Sequence, residues 1–190
     1  MITVIGHDGS PLSDQARAAL DDAELVIGTR RILAEVPLPE TATPFVLGAL
    51  DRMFDEIIQH NRICVLASGD PGFFGIVRLL RERGLEIKVL PAASSVAFAF
   101  AAVGMTWDDA VVVSAHGREP RPVANVCRAF PKVAVLTGPG AGARELGAEL
   151  PDRTFVVAQR LGHPDQRVDI LSSHAAASAW HRQLARGRGR

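Results

Sequence analysis

Short runs of apolar, β-branched residues alternate along the chain with longer segments in which apolar residues recur every three or four positions. The short runs predict β-strands and the longer segments predict amphipathic helices, so the sequence indicates an α/β protein. Strands are predicted at residues 2–5, 25–27, 63–67, 87–90, 110–114, 133–136, 155–158 and 167–171. Helices are predicted at residues 13–23, 50–58, 73–83, 94–103, 123–129, 142–150 and 173–180.

The apolar pattern also indicates how these elements are grouped. The strand at 63–67 is apolar at every position, which is typical of a strand covered by helices on both faces of a largely parallel sheet. Prolines at positions 37, 39 and 44 predict an irregular stretch. Because the alternation restarts after residue 109, we place a boundary near 104–110. We predict two small α/β domains, at 1–105 and 110–181, and an Arg/Gly tail at 182–190.

Composition and charge narrow the class of protein. The chain has 190 residues, of which 47% are hydrophobic, more than a disordered chain carries. Its 21 basic and 21 acidic residues cancel. The tail at 182–190 holds four arginines and no acidic residue, so residues 1–181 carry a net charge of −4. A nucleic-acid-binding protein normally has a basic surplus, and we therefore expect no nucleic-acid partner.

Cysteine usage and hydropathy favour a cytoplasmic protein. Cys64 and Cys127 stand in apolar runs, are too few for a disulfide scaffold and form no CxxC pair, so we interpret them as reduced core thiols. The first residues lack the basic region of a signal peptide. The longest weakly polar run, 92–106, is too short to cross a bilayer. We therefore expect a soluble, cytoplasmic protein without a membrane partner.

The loop at 6–11 follows the first strand, where parallel sheets bind ligands. It begins with Gly6 but fails the GxGxxG fingerprint, because Asp8 occupies the second glycine position. No acidic residue ends the second strand either. A nicotinamide-binding domain is therefore disfavoured, and a tight turn with polar caps remains an alternative.

Three further loops follow strands. SGDPGFFG at 68–75 supplies the Asp70 carboxylate and two aromatic residues, which either lie under a flat ligand or enter the core. In the loop at 91–95, Ser94 and Ser95 either bind a polar ligand or cap the following helix. TGPGAG at 137–142 lacks the Gly-Lys-Ser/Thr ending of a phosphate-binding loop, so we interpret it as a flexible wall of a pocket.

Two histidines, His7 and His116, stand at the ends of predicted strands. Neither belongs to a metal-binding spacing such as HExxH, and no serine–histidine–aspartate order is recognisable. We therefore expect neither a metal site nor a hydrolase.

Four segments together occur in the order and spacing of one family. They are ASGDPGFFG at 67–75, PAASSV at 91–96, GMTWDD at 104–109 and SAHGR at 114–118. With this combination the chain resembles the tetrapyrrole (corrin/porphyrin) methyltransferases over residues 1–170. Within the family it is most similar to the branch that methylates carbon C5 of a precorrin in cobalamin synthesis.

The resemblance implies a specific cofactor and a division of the loops. It implies two α/β domains with S-adenosylmethionine in the cleft between them and a small-molecule tetrapyrrole as substrate. The loop at 6–11 would lie toward the tetrapyrrole, which would explain why it fails the dinucleotide fingerprint. The positions that match the family's cofactor contacts are Ser68, Gly69, Asp70, Phe73, Ser94 and Ser95 and, more loosely, Thr137 and Leu161.

The implied reaction needs no protein nucleophile and no metal, because a methyl group on a sulfonium is already activated. The protein has to align the reacting atoms and exclude water. Where a proton is removed, the candidate bases are His7, Asp8 and His116. Arginine pairs well with the carboxylates of a tetrapyrrole, although each candidate is equally explained as a solvated surface residue. These candidates are Arg30, Arg31, Arg118, Arg121 and Arg160.

Departures from the family pattern leave alternatives open. The loop at 6–11 is shorter than usual, and Ala92 stands where Pro-Gly is common. A final apolar strand of the second domain is missing from the pattern, and no C15-methylation or decarboxylation module follows. We therefore expect a separate C15-methyltransferase/decarboxylase as a partner. A homodimer is a further expectation about partners. The alternatives are the same fold acting on another tetrapyrrole position or on a macromolecule, or a weakly catalytic tetrapyrrole-binding protein.

Overall fold

The computed structural model describes residues 1–116 and 119–178 and divides the chain into two compact units, Met1–Ser95 and Val96–Arg190. Both units contain strands and helices, which confirms the predicted α/β class. The division falls earlier than the predicted boundary near 104–110, at the beginning of a helix rather than after it. The domain ranges 1–105 and 110–181 stay a prediction, and the tail at 182–190 lies outside the described residues.

The first unit is built on one parallel sheet. Its strands are β1 (Ile2–His7), β2 (Leu25–Gly28), β3 (Thr43–Val46), β4 (Ile63–Ser68) and β5 (Ile87–Leu90). Its helices are α1 (Asp14–Asp21), α2 (Arg30–Glu35), α3 (Leu50–Ile57) and α4 (Ile76–Glu82), and α5 (Ser95–Ala102) begins at its last residue. The strand order is β3-β2-β4-β1-β5 and every pairing is parallel, which confirms the predicted parallel sheet.

Each face of this sheet carries its own apolar core. The connections through α1 and α2 move the chain toward β3, whereas those through α3 and α4 move it back toward β5. Because parallel crossovers are right-handed, opposite directions place the helices on opposite faces. Along β4, Cys64 and Leu66 therefore pack with α1 and α2, whereas Ile63 and Val65 pack with α3 and α4. Burial on both faces explains why the strand at 63–67 is apolar throughout.

The second unit contains two small sheets. β6 (Val111–Ser114) pairs in parallel with β7 (Val133–Leu136), and β8 (Thr154–Gln159) pairs antiparallel with β9 (Arg167–Ser172). Its further helices are α6 (Pro120–Ala129) and α7 (Ala143–Glu149), and residues 173–178 are also helical. Residues 179 and 180 of the predicted final helix lie outside the described part of the chain. Among the helices described, none is long and apolar enough to cross a membrane.

The GMTWDD segment at 104–109 is bound by the side chain of Lys132, the residue that precedes β7. The Lys132 ammonium donates to the Thr106 carbonyl oxygen at 3.0 Å and pairs with the Asp109 carboxylate at 2.5 Å. This contact lowers the pKa of Asp109. The segment belongs to the second unit, together with Trp107, whose ring stacks on Phe100 with centroids 6.4 Å apart.

The irregular stretch predicted around the prolines is confirmed for residues 36–42, which include Pro37 and Pro39, whereas Pro44 lies in β3, and the preceding helix α2 was not predicted. The Thr29 hydroxyl accepts the Ile32 N–H at 3.4 Å and so begins α2. Pro44 is compatible with β3 because an edge strand leaves one row of N–H groups unpaired. The helix predicted from residue 73 begins only at Ile76, because Phe74 adopts a φ of 55°, which interrupts a right-handed helix.

Both cysteines are free and buried, which confirms the prediction of core thiols. Burial raises the pKa of the Cys64 thiol to about 12, and the nearby Asp22 carboxylate acts in the same direction. Burial also raises the pKa of the Cys127 thiol. Both side chains therefore stay protonated at neutral pH and behave as small apolar residues.

Adjacent isoleucines at the end of α3 test this description of the core. Ile57 is 5% exposed in the core shared with α4, whereas Ile58 is 80% exposed. Ile57→Ala removes buried methyl and methylene groups, so we expect the free energy of unfolding to fall by about 2–5 kcal/mol. The control Ile58→Ala should change it by less than about 0.5 kcal/mol. Urea unfolding followed by circular dichroism measures both, and equal effects would contradict the placement of Ile57.

Candidate functional site

The carboxyl end of β4 is a topological switch point of the first sheet. β4 lies between β1 and β2, whose connections pack helices on one face, while the connection after β4 packs α4 on the other. The loops therefore separate at this edge, which is where open parallel sheets bind ligands. Here His7, the last residue of β1, is the register partner of Ser68, the last residue of β4.

At Gly6 the backbones that follow β1, β4 and β5 come very close. A Cβ atom on Gly6 would lie 2.6 Å from the Ala92 amide nitrogen and 2.6 Å from the Gly69 carbonyl oxygen. Both neighbours are backbone atoms, which cannot rotate away as a side chain can. Glycine at position 6 is therefore required by packing between loops, and not by the approach of a dinucleotide.

Two of the predicted cofactor segments meet at Gly69. This residue adopts a φ of 64°, and its N–H donates to the His7 carbonyl oxygen at 2.7 Å. A Cβ atom on Gly69 would lie 3.7 Å from the Ser94 Cα and 3.8 Å from the Ser95 nitrogen. The structure therefore brings Ser68 and Gly69 together with Ser94 and Ser95. Ser94 is buried and Ser95 is exposed, so the two hydroxyls differ in their access to a ligand.

Asp8 connects the loop after β1 with the loop after β5. One carboxylate oxygen accepts the Ser10 N–H at 3.0 Å and the Ser10 hydroxyl, and the other accepts the Ala93 N–H at 3.2 Å. The hydrogen bond from the Ser10 hydroxyl is the main reason that the pKa of Asp8 is lowered. A carboxylate held in this way is a weak base. The structure thus gives Asp8 a bridging role, and its predicted catalytic role stays a prediction.

Asp70 shapes the loop that follows β4. Its carboxylate accepts the Gly72 N–H at 2.8 Å, and its carbonyl oxygen accepts the Phe73 N–H at 3.1 Å. Phe73 is half-buried, and its ring meets the Phe74 ring edge-on, with centroids 5.2 Å apart. The loop is therefore an ordered turn whose shape depends on a predicted cofactor residue.

A polar chain at the same edge includes a residue that sequence analysis missed. The Arg31 guanidinium donates to both Glu35 oxygens at 3.0 Å and to the Ser68 hydroxyl at 2.9 Å. Glu35 also lies 4.0 Å from the Nε2 atom of His7. Glu35 thus contacts two predicted site residues, Arg31 and His7, and Arg31 extends the chain to Ser68. Its spacing of four from Arg31 could have revealed it, but only if the α2 helix had been predicted.

His7 has an unsatisfied ring nitrogen. Its side chain is 10% exposed, and within the described residues its Nδ1 atom is buried without a hydrogen-bond partner. Leaving a buried polar atom unpaired is unfavourable, so this nitrogen is an exception among the buried side-chain polar atoms of the described residues. The predicted catalytic role of His7 stays a prediction.

The predicted arginines differ in how they are held. Arg31 is paired with Glu35, and Arg160 pairs with Asp165 at 2.5 Å inside the turn between β8 and β9. Arg30, the first residue of α2, and Arg121, in the first turn of α6, are exposed and pair with no carboxylate of the described residues. Arg118 lies outside the described residues. Arg30 follows β2 after one residue, Thr29, and thus stands at the same sheet edge as Ser68.

The other predicted residues belong to the second unit. His116 lies just after β6 and is exposed, and its N–H donates to the Ser114 hydroxyl at 3.4 Å. Thr137 follows β7 and is exposed, and Leu161 is half-buried in the turn after β8. The cofactor roles of Thr137 and Leu161 and the catalytic role of His116 stay predictions.

A cavity of about 170 Å³ opens beside the switch point. It is lined by residues 5–8, 10–13, 16 and 90–92, and so includes His7 and Asp8. A larger groove of about 330 Å³ lies between β3 and the start of α3 and contains no predicted site residue. The predicted cofactor residues at 68–70, 94 and 95 are not among the residues that line either of these two cavities. Within the described residues, no group of three or more His, Cys, Asp or Glu side chains is placed to hold a metal ion.

The model of the family Tetrapyrrole (Corrin/Porphyrin) Methylases matches residues 8–173. This range covers most of the chain and includes the loops at 68–75 and 91–95. The chain therefore belongs to the tetrapyrrole methylases, as the resemblance of its motifs predicts.

Two relatives illustrate the similarity. A decarboxylating precorrin-6Y C(5,15)-methyltransferase from a Sinorhizobium species is 35% identical over 86% of this chain. This chain spans only 42% of the length of that relative. The cobalt-precorrin-7 C(5)-methyltransferase of Salmonella typhimurium is 32% identical over 90% of both chains.

Solved structures confirm the fold. The precorrin-6Y methylase CbiE from Archaeoglobus fulgidus has a TM-score of 0.71 at 23% identity, covering 92% of this chain and 91% of that chain. Uroporphyrin-III C-methyltransferase from Thermus thermophilus, in complex with S-adenosylhomocysteine, has a TM-score of 0.67 at 22% identity. The match covers 94% of this chain and 86% of that chain. At these identities the likeness shows the shared fold.

Gly6→Ala tests the close packing of the three loops. The added methyl group has no space between Ala92 and Gly69, so we expect the free energy of unfolding to fall by about 1–3 kcal/mol. Gly48→Ala is the matched control, because a Cβ there would meet only the Val46 carbonyl oxygen, at 3.9 Å. Thermal unfolding of both variants gives the comparison. Equal stability of Gly6→Ala and the wild type would mean that the loops are not packed as described.

Asp8→Asn tests the bridging carboxylate. Because the folded-state pKa is lowered, ionised Asp8 stabilises the fold above its ordinary pKa of 3.8, and the contribution disappears as pH falls through the lowered value. We expect the variant to be less stable than the wild type by about 1 kcal/mol at pH 7, and the difference to vanish in acid. Urea unfolding as a function of pH measures this. The exposed Glu40→Gln is the control, and a difference that persisted at the lowest pH would contradict the assignment.

Proposed function

We propose that this chain transfers the methyl group of S-adenosylmethionine to carbon C5 of a precorrin of the precorrin-7 type in cobalamin biosynthesis. The observation that carries this proposal is the convergence of the loops after β1, β4 and β5 at Gly6 and Gly69, at a switch point of the sheet. The relative that matches this chain over 90% of both lengths is named a cobalt-precorrin-7 C(5)-methyltransferase, which supports the choice of substrate.

The residues at the switch point suit this cofactor. Gly69 keeps its backbone open beside Ser94 and Ser95, and the loop from Ser68 to Asp70 offers hydroxyl, amide and carboxylate groups. Such small polar residues let a ligand approach the main chain closely. When bound, the cofactor supplies a methyl group that its sulfonium already activates. The role of the chain is then to bind, to orient and to exclude water.

In the proposed transfer the methyl carbon would pass to ring carbon C5 and the electron pair of its bond to sulfur would stay on sulfur, so no residue of the chain would have to act as a nucleophile. Where the ring has to lose a proton, we propose His7 as the base, because it lines the cavity and carries an unpartnered ring nitrogen within the described residues. The lowered pKa of Asp8 makes that residue the poorer choice.

We propose that Arg30 binds a carboxylate of the substrate. It stands at the same sheet edge as Ser68 and is exposed without a carboxylate partner in the described part of the chain. Arg31 and Arg160 are already paired with acidic residues of their own segments, so pairing with substrate would require them to exchange partners.

A separate protein for C15 methylation and decarboxylation is the partner we propose. The Sinorhizobium relative is named for both the C5 and C15 positions, and the present chain corresponds to 42% of its length. The remaining length of that relative is sufficient for a further domain, and the joining of both named positions in one relative supports an association between the proteins that act at them.

Calorimetry and mass spectrometry test the proposed function. We expect S-adenosylhomocysteine to bind, and precorrin-7 incubated with S-adenosylmethionine to gain one methyl group at C5. Ser95→Ala removes an exposed hydroxyl beside Gly69 and should weaken S-adenosylhomocysteine binding by about 2- to 10-fold, as expected for one hydrogen bond.

Thr41→Ala is the control for this measurement, because Thr41 is exposed in the turn before β3. It should leave the dissociation constant unchanged. If the wild type binds no S-adenosylhomocysteine, the enzyme proposal fails. If it binds but no methyl group is gained at C5, the cofactor assignment stands and the C5 assignment fails.

A further inference from the structure

Phe74 combines two features that are unfavourable in the isolated protein. Its φ of 55° lies in the left-handed region, which bulky residues rarely adopt. Its side chain is 53% exposed, so a large apolar ring faces solvent. A glycine would adopt this backbone without strain, and a polar residue would be better solvated. The phenylalanine side chain is therefore poorly explained by the stability of the fold alone.

The surrounding loop holds this ring in place. The Asp70 carboxylate fixes the turn through the Gly72 N–H at 2.8 Å, and Pro71 is fully buried beneath it. At the other side, a Cβ on Gly75 would lie 3.0 Å from the Pro71 carbonyl oxygen, so the chain doubles back tightly. An anchored turn of this kind determines the position of the Phe74 backbone.

Phe73 supports the ring from one side. The two rings meet edge to face at an interplanar angle of 85°, an arrangement that aromatic pairs prefer. Phe73 is half-buried, whereas Phe74 is exposed. Phe74 is therefore held by a neighbour without being enclosed, and it keeps surface available for a further contact.

The position of this ring in the fold indicates what it contacts. Phe74 lies in the loop that begins at Ser68, at the switch point between β1 and β4, together with Gly69 and Asp70. Strained backbone is concentrated at binding sites, where it positions groups for a ligand. Stacking on a flat, conjugated ring would cover the apolar surface of Phe74 and compensate for its exposure.

We propose that Phe74 is a binding residue that stacks on a planar conjugated ring of a ligand at this edge of the sheet. The inference rests on the proposed function, which offers two ligands with such a ring, the adenine of the cofactor and the conjugated system of the tetrapyrrole. The shared chemistry is a π-face held against the phenyl ring. Titrating each ligand separately distinguishes the two sources.

Phe74→Gly tests the proposal, because a binding role and a structural role predict opposite results. Glycine relieves the positive φ, so we expect the melting temperature to stay unchanged or to rise. Loss of the ring should raise the dissociation constant of S-adenosylhomocysteine or of precorrin-7 by about 5- to 100-fold, as found for loss of a stacking aromatic. If the Phe74 ring only stabilised the fold, Phe74→Gly would lower the melting temperature and leave both dissociation constants unchanged. That result would overturn the proposal.

Further variants separate ring stacking from apolarity. Phe74→Tyr keeps the flat ring and should retain wild-type binding, whereas Phe74→Leu keeps an apolar side chain and should bind as weakly as Phe74→Gly. Phe130→Ala is the matched control, because Phe130 is 45% exposed but has an ordinary φ of −121°. It should leave both dissociation constants unchanged.

The wild-type titrations separate this inference from the proposed function. If the wild type binds both ligands and Phe74→Gly binds them equally well, the stacking role is wrong and the proposed function stands. If the wild type binds neither ligand, the proposed function fails and the stacking role fails with it. If Phe74→Gly weakens the binding of only one of the two ligands, the proposal is supported and the ring that Phe74 contacts is identified.

Discussion

The candidate site depends on one packing constraint, the absence of space for a side chain at position 6. Because a Cβ there would lie 2.6 Å from backbone atoms of both Ala92 and Gly69, the loops after β1, β4 and β5 can approach only around a glycine. Their approach allows Asp8 to accept the Ala93 N–H, next to the position where pairing of β1 with β4 sets His7 beside Ser68. The arrangement of the polar residues therefore follows from contacts between main-chain atoms.

The predicted site residues also differ in which hydrogen bonds their side chains already make. The Asp8 carboxylate accepts hydrogen bonds from Ser10 and Ala93, and these contacts connect two loops and lower its pKa. Arg31 is occupied by Glu35 and Ser68. A methyl transfer from an activated donor requires alignment more than acid–base power, so a rigid, mutually bonded set of residues suits this chemistry.

The regular parts of the fold are predictable because apolar periodicity reports burial. The strand at 63–67 is apolar throughout since alternate residues enter the cores on the two faces of the sheet. Local signals fail where tertiary context decides. β3 contains Pro44 and is stabilised only as an edge strand beside β2, and α2 is too short for a clear period. Glu35 was missed as a consequence, because its partners come together only after α2 forms.

By itself, the sequence determined the α/β class, the parallel sheet and the family, because periodicity and the order of loop motifs are local properties of the chain. The resemblance also predicted a cofactor role for the segments 68–70 and 94–95, and that role stays a prediction. The tertiary structure alone decided that these segments adjoin, that Asp8 bridges two loops and that Phe74 is held exposed. These facts depend on distances between residues far apart in the chain, which only strand order and packing determine.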